Sequence, residues 1–267
     1  MSWLIALLVA LAGYFLGSIS FARLIVRVFS PDEDISEVEV QLSASDTAFR
    51  SSVVSATTVN LQLGPRYGCL TSLLDMLKVA VPTLALKLWR PDTSYYLILA
   101  AMGTLGHNWP AFHGFRGGRG MSTILGGMVV VDWIGILLTT SVSFLVGTLL
   151  RSFYFANRLS ILLMIPWLWL RHEDLSLVAY AIAVNVMNGI AIIPEAREML
   201  RLRRDGALEE FLTAERVRVA GDGSNHDEER LTFYGTLLSL FNPARDEAAD
   251  PADSGEGASC ASGDDLQ

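Results

Sequence analysis

The stretch GHNWPAFHGFRGGRGMST, which runs from Gly106 to Thr123, contains five glycines, two histidines and two arginines between long apolar runs. The chain around it has 267 residues, of which 51% are hydrophobic and only 18% are charged. Soluble domains usually carry about 25% charged residues, so this composition predicts an integral membrane protein. The stretch is then either a hairpin between two membrane helices, anchored by its arginines at lipid head groups, or a site that holds an anion.

Three features of the stretch favour a phosphate or a carboxylate. The closely spaced glycines leave the backbone free of Cβ atoms, so N–H groups can approach an anion. The arginines beside them can donate paired hydrogen bonds to phosphate oxygens. The apolar run from Met121 predicts a helix whose N-terminus, with hydroxyls in its first turn, favours negative charge. The predicted phosphate-binding residues are Arg116, Gly117, Gly118, Arg119, Gly120, Ser122 and Thr123.

Apolar runs along the chain predict the membrane spans. Trp3–Ala22 has 20 residues without a charge, enough to cross roughly 30 Å of hydrocarbon. Because Arg23 and Arg27 follow this run and no basic residue precedes it, a retained span is favoured over a cleaved signal peptide. Further spans are predicted at Gly68–Trp89, Ser94–Phe112, Met121–Val131, Trp133–Leu150, Leu159–Leu170 and Leu175–Ile193. The fold class is therefore all-α, a polytopic helical membrane protein with five to seven transmembrane segments.

The distribution of lysine and arginine predicts the orientation. With the N-terminus outside, twelve basic residues near the ends of the spans fall inside, against three outside, which are Lys87, Arg90 and Arg171. This orientation makes the glycine-dense stretch cytoplasmic, together with a polar loop at Ser30–Arg66 that contains some helix, and the C-terminal tail.

The net charge of −8 belongs to the tail, because residues 205–267 carry 15 acidic and 4 basic side chains, whereas residues 1–204 carry 13 and 16. Two units are predicted: a membrane domain at residues 1–205, and an acidic cytoplasmic tail at residues 206–267 that is mostly disordered. Within the tail, Leu231–Asn242 is predicted to form a short amphipathic helix. The two cysteines, Cys69 and Cys260, indicate neither a disulfide nor a metal site.

Three polar residues outside the glycine cluster are further candidates. His107 lies at the end of the third predicted span, where it is either a base, a proton donor, a phosphate ligand or a structural residue. Asp75 and Lys78 lie three apart on one helical face within the membrane. Charges in a membrane are costly, so they are paired or functional. The pair either locks two helices together or takes part in a site.

The sequences GSIS at Gly17–Ser20, LLDMLK at Leu73–Lys78 and the stretch Gly106–Thr123 together resemble the bacterial membrane glycerol-3-phosphate acyltransferases of the PlsY type. The second family motif is close to G-H-x-F/W-P-x-F-x-x-F-K/R-G-G-K-G-x-A/S-T. The stretch matches nearly every position, with Arg119 in place of the usual lysine. The resemblance covers about residues 1–205.

This resemblance implies transfer of an acyl group from acyl-phosphate to the sn-1 hydroxyl of glycerol-3-phosphate, giving lysophosphatidate for phospholipid synthesis at the cytoplasmic face of a multi-pass bacterial plasma membrane protein. In the family, a substrate phosphate has been argued to serve as the base. The implied partners are glycerol-3-phosphate, acyl-phosphate and membrane lipids, with no nucleic acid, metal or organic cofactor. The predicted catalytic residues are His107, Arg119 and Ser51, and Lys78 and Asp75 join the predicted substrate-binding set.

Two other family motifs are degraded. The first reads RSSVVSATTVNL, from Arg50 to Leu61, where Leu61 replaces an arginine and both asparagines and three glycines are lost. The third, at Pro194–Gly206, keeps basic residues and its glycine but lacks the histidine and the asparagine. An acidic insertion lies at Asp32–Asp46.

Loss of one electrostatic donor costs about 10²–10³ in rate. The alternative function is therefore a catalytically impaired or inactive relative that keeps the phosphate-binding loop for lipid-precursor binding or regulation. A small transporter is a third hypothesis, with a polar path lined by Asp75, Lys78, Asn185 and Asn188.

Overall fold

The computed structural model describes residues 2–31, 38–41, 48–51, 53–149 and 153–204. Within these ranges the chain forms eight α-helices, one 3-10 turn and one short two-stranded ribbon. The predicted all-helical membrane architecture is thereby confirmed. The predicted tail at residues 206–267, with its helix at Leu231–Asn242, lies outside the described residues.

The first predicted span is interrupted by a short turn. Helix α1 covers Trp3–Gly17 and α2 covers Phe21–Phe29, and residues 18–20 between them are named the elbow here. The side chain of Ser20 accepts a hydrogen bond from the backbone N–H of Arg23 at 3.4 Å, which caps the start of α2. Helix α2 is amphipathic and buries one face, formed by Ala22, Ile25 and Val26.

The predicted loop at Ser30–Arg66 contains more structure than expected. Strands β1 at Val38–Gln41 and β2 at Ala48–Ser51 pair antiparallel, with Val38 opposite Ser51. Helix α3 follows at Ala56–Leu63. The ribbon was not predicted, because two four-residue strands are too short to show a clear alternation of apolar and polar residues. The acidic segment at Asp32–Asp46 lies partly outside the described residues.

The remaining helices form the membrane bundle. They are α4 at Pro65–Trp89, α5 at Tyr95–Asn108, α6 at Met121–Leu149, α7 at Phe153–His172 and α8 at Leu175–Arg204. The predicted fourth and fifth spans form the two halves of α6, which is broken between them at Asp132 by non-helical backbone angles of φ −152° and ψ 94°.

Four of the described helical segments are long and apolar enough to cross a membrane, whereas five to seven spans were predicted. They are Trp3–Phe29, Pro65–Trp89, Met121–Leu149 and Leu175–Pro194. Helix α5 has only 14 residues, which at 1.5 Å per residue is shorter than the hydrocarbon core. Many large apolar side chains on the outer faces of the bundle are exposed, among them Leu8, Val81, Leu137 and Ile190. Such faces suit contact with lipid rather than water.

Close packing of α1 on α5 places the end of α5 against the elbow. A Cβ atom on Gly17 would lie 2.0 Å from the carbonyl oxygen of Gly103, and one on Gly106 would lie 2.1 Å from that of Tyr14. Small residues of this kind let membrane helices approach backbone to backbone. The hydroxyl of Tyr14 also donates to the carbonyl oxygen of Trp109 at 2.8 Å, so the segment after α5 is tied to α1.

Candidate functional site

The glycine-dense segment, residues 109–120, joins α5 to α6 as a compact turn. It contains a 3-10 turn at Ala111–His113 and three residues with positive φ, which are Gly114 at 60°, Phe115 at 61° and Gly120 at 80°. The carbonyl oxygen of Gly120 accepts the N–H of Ile124 at 2.8 Å. The helix predicted to begin at Met121 is therefore confirmed, and its N-terminus opens directly from this segment.

The glycines of this segment pack on the end of α5. A Cβ atom on Gly117 would lie 2.1 Å from the carbonyl oxygen of His107, and one on Gly118 would lie 2.2 Å from the Nε2 atom of His107. The N–H of Gly118 donates to the carbonyl oxygen of His107 at 3.1 Å. These glycines are thus required for close packing around His107, and the N–H of Gly118 is already engaged within the protein.

Asp75, Lys78 and His107 form one buried cluster between α4 and α5. The Nζ atom of Lys78 lies 2.7 Å from Oδ1 of Asp75 and 3.0 Å from Nδ1 of His107. It also donates to the carbonyl oxygen of Ile19, in the elbow, at 2.7 Å. The side chains of Asp75 and Lys78 are only 2% and 5% exposed. The structure therefore joins His107 to the pair of Asp75 and Lys78, which the sequence analysis had proposed separately from it.

The two arginines of the segment are held through their backbone oxygens. The Nη2 atom of Arg23, on α2, donates to the carbonyl oxygen of Arg116 at 3.3 Å. The Nδ2 atom of Asn188, on α8, donates to that of Arg119 at 2.7 Å. Arg116 is exposed and Arg119 is half-buried. The charge of Arg23 also reaches His113, whose pKa is lowered first by partial burial and second by that charge.

The two hydroxyls in the first turn of α6 bond within the protein. The Oγ1 atom of Thr123 donates to the carbonyl oxygen of Gly120 at 2.9 Å, so Thr123 supports the start of the helix. The Oγ atom of Ser122 lies 2.8 Å from that of Ser72 on α4. Because a hydroxyl both donates and accepts, Ser122 keeps capacity for one more partner.

The segment predicted to be the first motif meets the glycine-dense segment through the backbone. Ser51 is the last residue of β2, and this strand contacts α8. The N–H of Val54 then donates to the carbonyl oxygen of Gly117 at 3.2 Å. These two segments are therefore adjacent, whereas the region predicted to be the third motif forms the last turns of α8 as far as Arg204.

A shallow recess, too narrow in this structure to hold a water molecule, lies where these elements meet, at the elbow end of the bundle. It is lined by the elbow with Gly17, by Val54 and by His107, Pro110, Gly117 and Gly118. The elbow and Val54 were not among the predicted site residues. The sequence indicated the elbow only through GSIS at Gly17–Ser20, which is one of the motifs that resemble the family.

Asn108 is a second residue that the sequence analysis missed. It is 3% exposed, and neither of its amide atoms has a hydrogen-bond partner among the described residues. A Cβ atom on Gly120 would lie 2.5 Å from its Oδ1 atom, so the amide faces the N-terminus of α6. A buried unpaired amide costs roughly 1–3 kcal/mol, which makes Asn108 a candidate ligand for a polar group bound there.

A separate polar cluster lies along α6, away from the recess. Asp132 accepts hydrogen bonds from the N–H of Gly135 at 3.0 Å and from Nε1 of Trp167 at 3.0 Å. Its carboxylate also lies 3.1 Å from Nε2 of His172 and 3.4 Å from Arg171. His172 therefore belongs to this structural network. Among the described residues, no group of three or more His, Cys, Asp or Glu side chains is arranged to hold a metal ion.

The fold and the recess define a polytopic helical membrane protein with a histidine, buried charges and a glycine-dense turn at one end of its bundle. The family model described as "Glycerol-3-phosphate acyltransferase" matches residues 7–204, and the chain belongs to this family. The resemblance proposed from the sequence motifs is thus confirmed.

Individual relatives agree with this assignment. The glycerol-3-phosphate acyltransferase of Aquifex aeolicus is 33% identical over 144 residues, which cover 50% of this chain and 68% of that protein. A crystal structure of PlsY, an integral membrane glycerol 3-phosphate acyltransferase, in its glycerol 3-phosphate form has a TM-score of 0.59 at 26% identity and covers 76% of this chain and 93% of its own. Its lysophosphatidic acid form has a TM-score of 0.58 at 25% identity, with coverages of 78% and 98%.

Proposed function

We propose that the chain transfers an acyl group from acyl-phosphate to the sn-1 hydroxyl of glycerol-3-phosphate and releases lysophosphatidate. The hydroxyl oxygen forms a bond to the acyl carbon, the bond between that carbon and the phosphate oxygen breaks, and the phosphate leaves with the hydroxyl proton. The crystal structures of PlsY in its glycerol 3-phosphate form and its lysophosphatidic acid form support this acceptor and this product.

One observation carries the proposal: the recess places His107 beside the glycine-dense segment and near the N-terminus of α6. A helix N-terminus favours an anion. Arg116 and Arg119, which carry positively charged guanidinium groups, belong to the same turn. Asn108 adds an unpaired amide that faces the start of α6. We assign phosphate binding to these groups, together with Gly117, Gly120 and Ser122, and we keep Ser51 as a candidate at the edge formed by β2.

We further propose that the recess faces the cytoplasm and that the N-terminus lies outside. Twelve basic residues near the ends of the spans fall on the side of the recess and three fall on the other side, which supports this orientation. A cysteine introduced at exposed Phe115, with both native cysteines changed to serine, tests it. Labelling by an impermeant maleimide only after the membrane is opened is expected, and labelling of intact cells would contradict it.

The family assignment favours the enzyme over the catalytically inactive relative. A separate observation weakens the transporter hypothesis. The amide of Asn185 donates to the backbone oxygens of Ile161 and Ala181 at 2.9 and 2.8 Å instead of facing a polar path.

Reconstitution of the purified protein with acyl-phosphate and glycerol-3-phosphate tests the function. Lysophosphatidate and inorganic phosphate are expected in equal amounts, and a parallel reaction with acyl-coenzyme A tests the choice of donor. The Gly118→Ala variant is the inactive control, and Gly189→Ala, where a Cβ atom has no neighbour within 4 Å, is the matched active control. Absence of product above the level of protein-free vesicles with either donor would show that this protein is not an acyltransferase.

A further inference from the structure

The ammonium group of Lys78 is surrounded by three acceptors. They are Oδ1 of Asp75 and the carbonyl oxygen of Ile19, both at 2.7 Å, and Nδ1 of His107 at 3.0 Å. An ammonium group has three protons and no acceptor. Lys78 therefore forms an ion pair with Asp75 and hydrogen-bond contacts with the carbonyl oxygen of Ile19 and with Nδ1 of His107.

This arrangement bears on which nitrogen of His107 carries the proton when Lys78 is charged. Nδ1 lies 3.5 Å from Oδ1 of Asp75, at the limit of a hydrogen bond, but 3.0 Å from Lys78, which can only donate. A proton on Nδ1 would lie against the ammonium protons of Lys78 at 3.0 Å, and its nearest acceptor, Oδ1 of Asp75, would be 3.5 Å away. In a neutral imidazole one nitrogen donates and the other accepts, so Nδ1 accepts and Nε2 carries the hydrogen.

The other edge of the ring faces the recess. Nε2 lies against Gly118, where a Cβ atom would come within 2.2 Å of it, and His107 is among the residues that line the recess. The glycine therefore places no side chain between the Nε2–H group and the recess. A substrate oxygen that enters the recess meets a hydrogen-bond donor at this position, not a base.

We infer that Lys78 and Asp75 are positioning residues, which hold His107 as the Nε2–H tautomer so that it donates a hydrogen bond to an anionic oxygen of the substrate in the recess. His107 then stabilises charge that develops on that oxygen, and the hydroxyl proton leaves with the phosphate. This inference rests on the proposed function for the identity of the substrate. It replaces the sequence prediction that Lys78 and Asp75 bind substrate directly, because their described contacts are with each other, with His107 and with the elbow.

Asp75 has a necessary part in this arrangement. An uncompensated charge on Lys78 within the bundle would be costly, and the carboxylate at 2.7 Å compensates it. For the same reason, removal of Lys78 alone leaves a buried carboxylate without its partner and destabilises the protein. The informative variant is therefore the double substitution Asp75→Asn/Lys78→Met, which removes both charges together.

Nitrogen NMR of the protein labelled with 15N-histidine tests the tautomer without any turnover. The chain has four histidines, and the signals lost in His107→Gln identify those of His107. The Nε2–H form is expected in the wild-type protein and a mixture of forms in the double variant. Lys87→Met, which removes a lysine from the other end of α4, is the matched control and is expected to leave the His107 signals unchanged. A wild-type signal from the Nδ1–H form would overturn the inference, whether or not the protein is active.

Kinetics then test what the Nε2–H group does. His107→Gln keeps a donor near the Nε2 position but has no basic nitrogen, whereas His107→Leu keeps neither. A donor role predicts that His107→Gln retains at least a tenth of kcat, with an unchanged pH profile, and that His107→Leu loses about 10²-fold. The Asp75→Asn/Lys78→Met variant is expected to lower kcat with little change in KM, since only the transition-state contact is lost.

Three kinetic outcomes would contradict the inference. Equal losses in the two His107 variants would show that the donor is not used. Loss of one limb of the pH profile in His107→Gln would make His107 a base. An increase in KM without a change in kcat in the double variant would show that Lys78 and Asp75 bind the substrate directly.

Discussion

The imidazole of His107 lies against the Cα atom of Gly118, so closely that a Cβ atom at position 118 would come within 2.2 Å of Nε2. The two residues lie on opposite sides of the turn between α5 and α6, and the hydrogen bond from the N–H of Gly118 to the carbonyl oxygen of His107 closes that turn at 3.1 Å. The His107 ring can therefore occupy this position only because residue 118 has no side chain.

The first prediction is that Gly118→Ala displaces the His107 ring and lowers kcat/KM by about 10²-fold or more, since a misplacement of about 1 Å at a catalytic group has this effect. Steady-state assays in vesicles measure it. Gly189→Ala is the control and is expected to be fully active and slightly more stable, because alanine at an open helical position lowers the entropy of the unfolded chain. A fully active Gly118→Ala variant would contradict the proposed site.

The second prediction concerns Asn108, whose buried amide has no partner among the described residues. Asn108→Leu removes an unpaired polar group, so the melting temperature is expected to stay constant or rise. Because the substrate loses one hydrogen bond, KM for glycerol-3-phosphate is expected to rise about tenfold, as 1.4 kcal/mol corresponds to a factor of ten. A lower melting temperature with unchanged KM would show that Asn108 is only structural.

The third prediction follows from the lowered pKa of His113, which is caused by partial burial and by the charge of Arg23. A pKa below the usual value of 6.5 means that the unfolded chain binds the proton more readily than the folded one. The contribution of His113 to stability is therefore complete above pH 6.5 and is lost as the pH falls through the folded pKa. His113→Gln is expected to flatten the pH dependence of the melting temperature in this window. An unchanged slope would contradict the shift.

Sequence periodicity and run length predicted most of the helices, because an apolar run of about 20 residues has few alternatives to a membrane helix. The break at Asp132 was visible in the sequence as a boundary between two apolar runs, and the backbone of α6 is indeed non-helical at this residue. The contacts of Asp132 at this break are long-range in sequence. Trp167 and His172, which contact its carboxylate, lie on α7, 35 and 40 residues further along the chain. No local pattern contains that information.

The site shows the same division between local and long-range information. The glycine-dense stretch was recognisable from its composition, and Asp75 and Lys78 were recognisable as charges in an apolar run. Their meeting with His107 depends on the packing of α4 against α5 and on the elbow, whose carbonyl oxygen at Ile19 completes the shell around Lys78. Asn108 carried no signal, because an asparagine before a proline-containing turn is ordinary in sequence and unusual only once its burial is known.

The last prediction separates stability from activity by means of Asp132. Its carboxylate is 3% exposed and accepts from Gly135 and Trp167, both at 3.0 Å, and hydrogen bonds to charged groups contribute about 1.5–3 kcal/mol each. Asp132→Asn keeps the shape but loses the charge that faces Arg171 and His172, so the free energy of unfolding in detergent is expected to fall by about 1–3 kcal/mol. Since this cluster has no described contact with the recess, kcat and KM per folded molecule are expected to match the wild type. A stable variant with impaired kcat would instead show that the break in α6 is coupled to the site at its N-terminus.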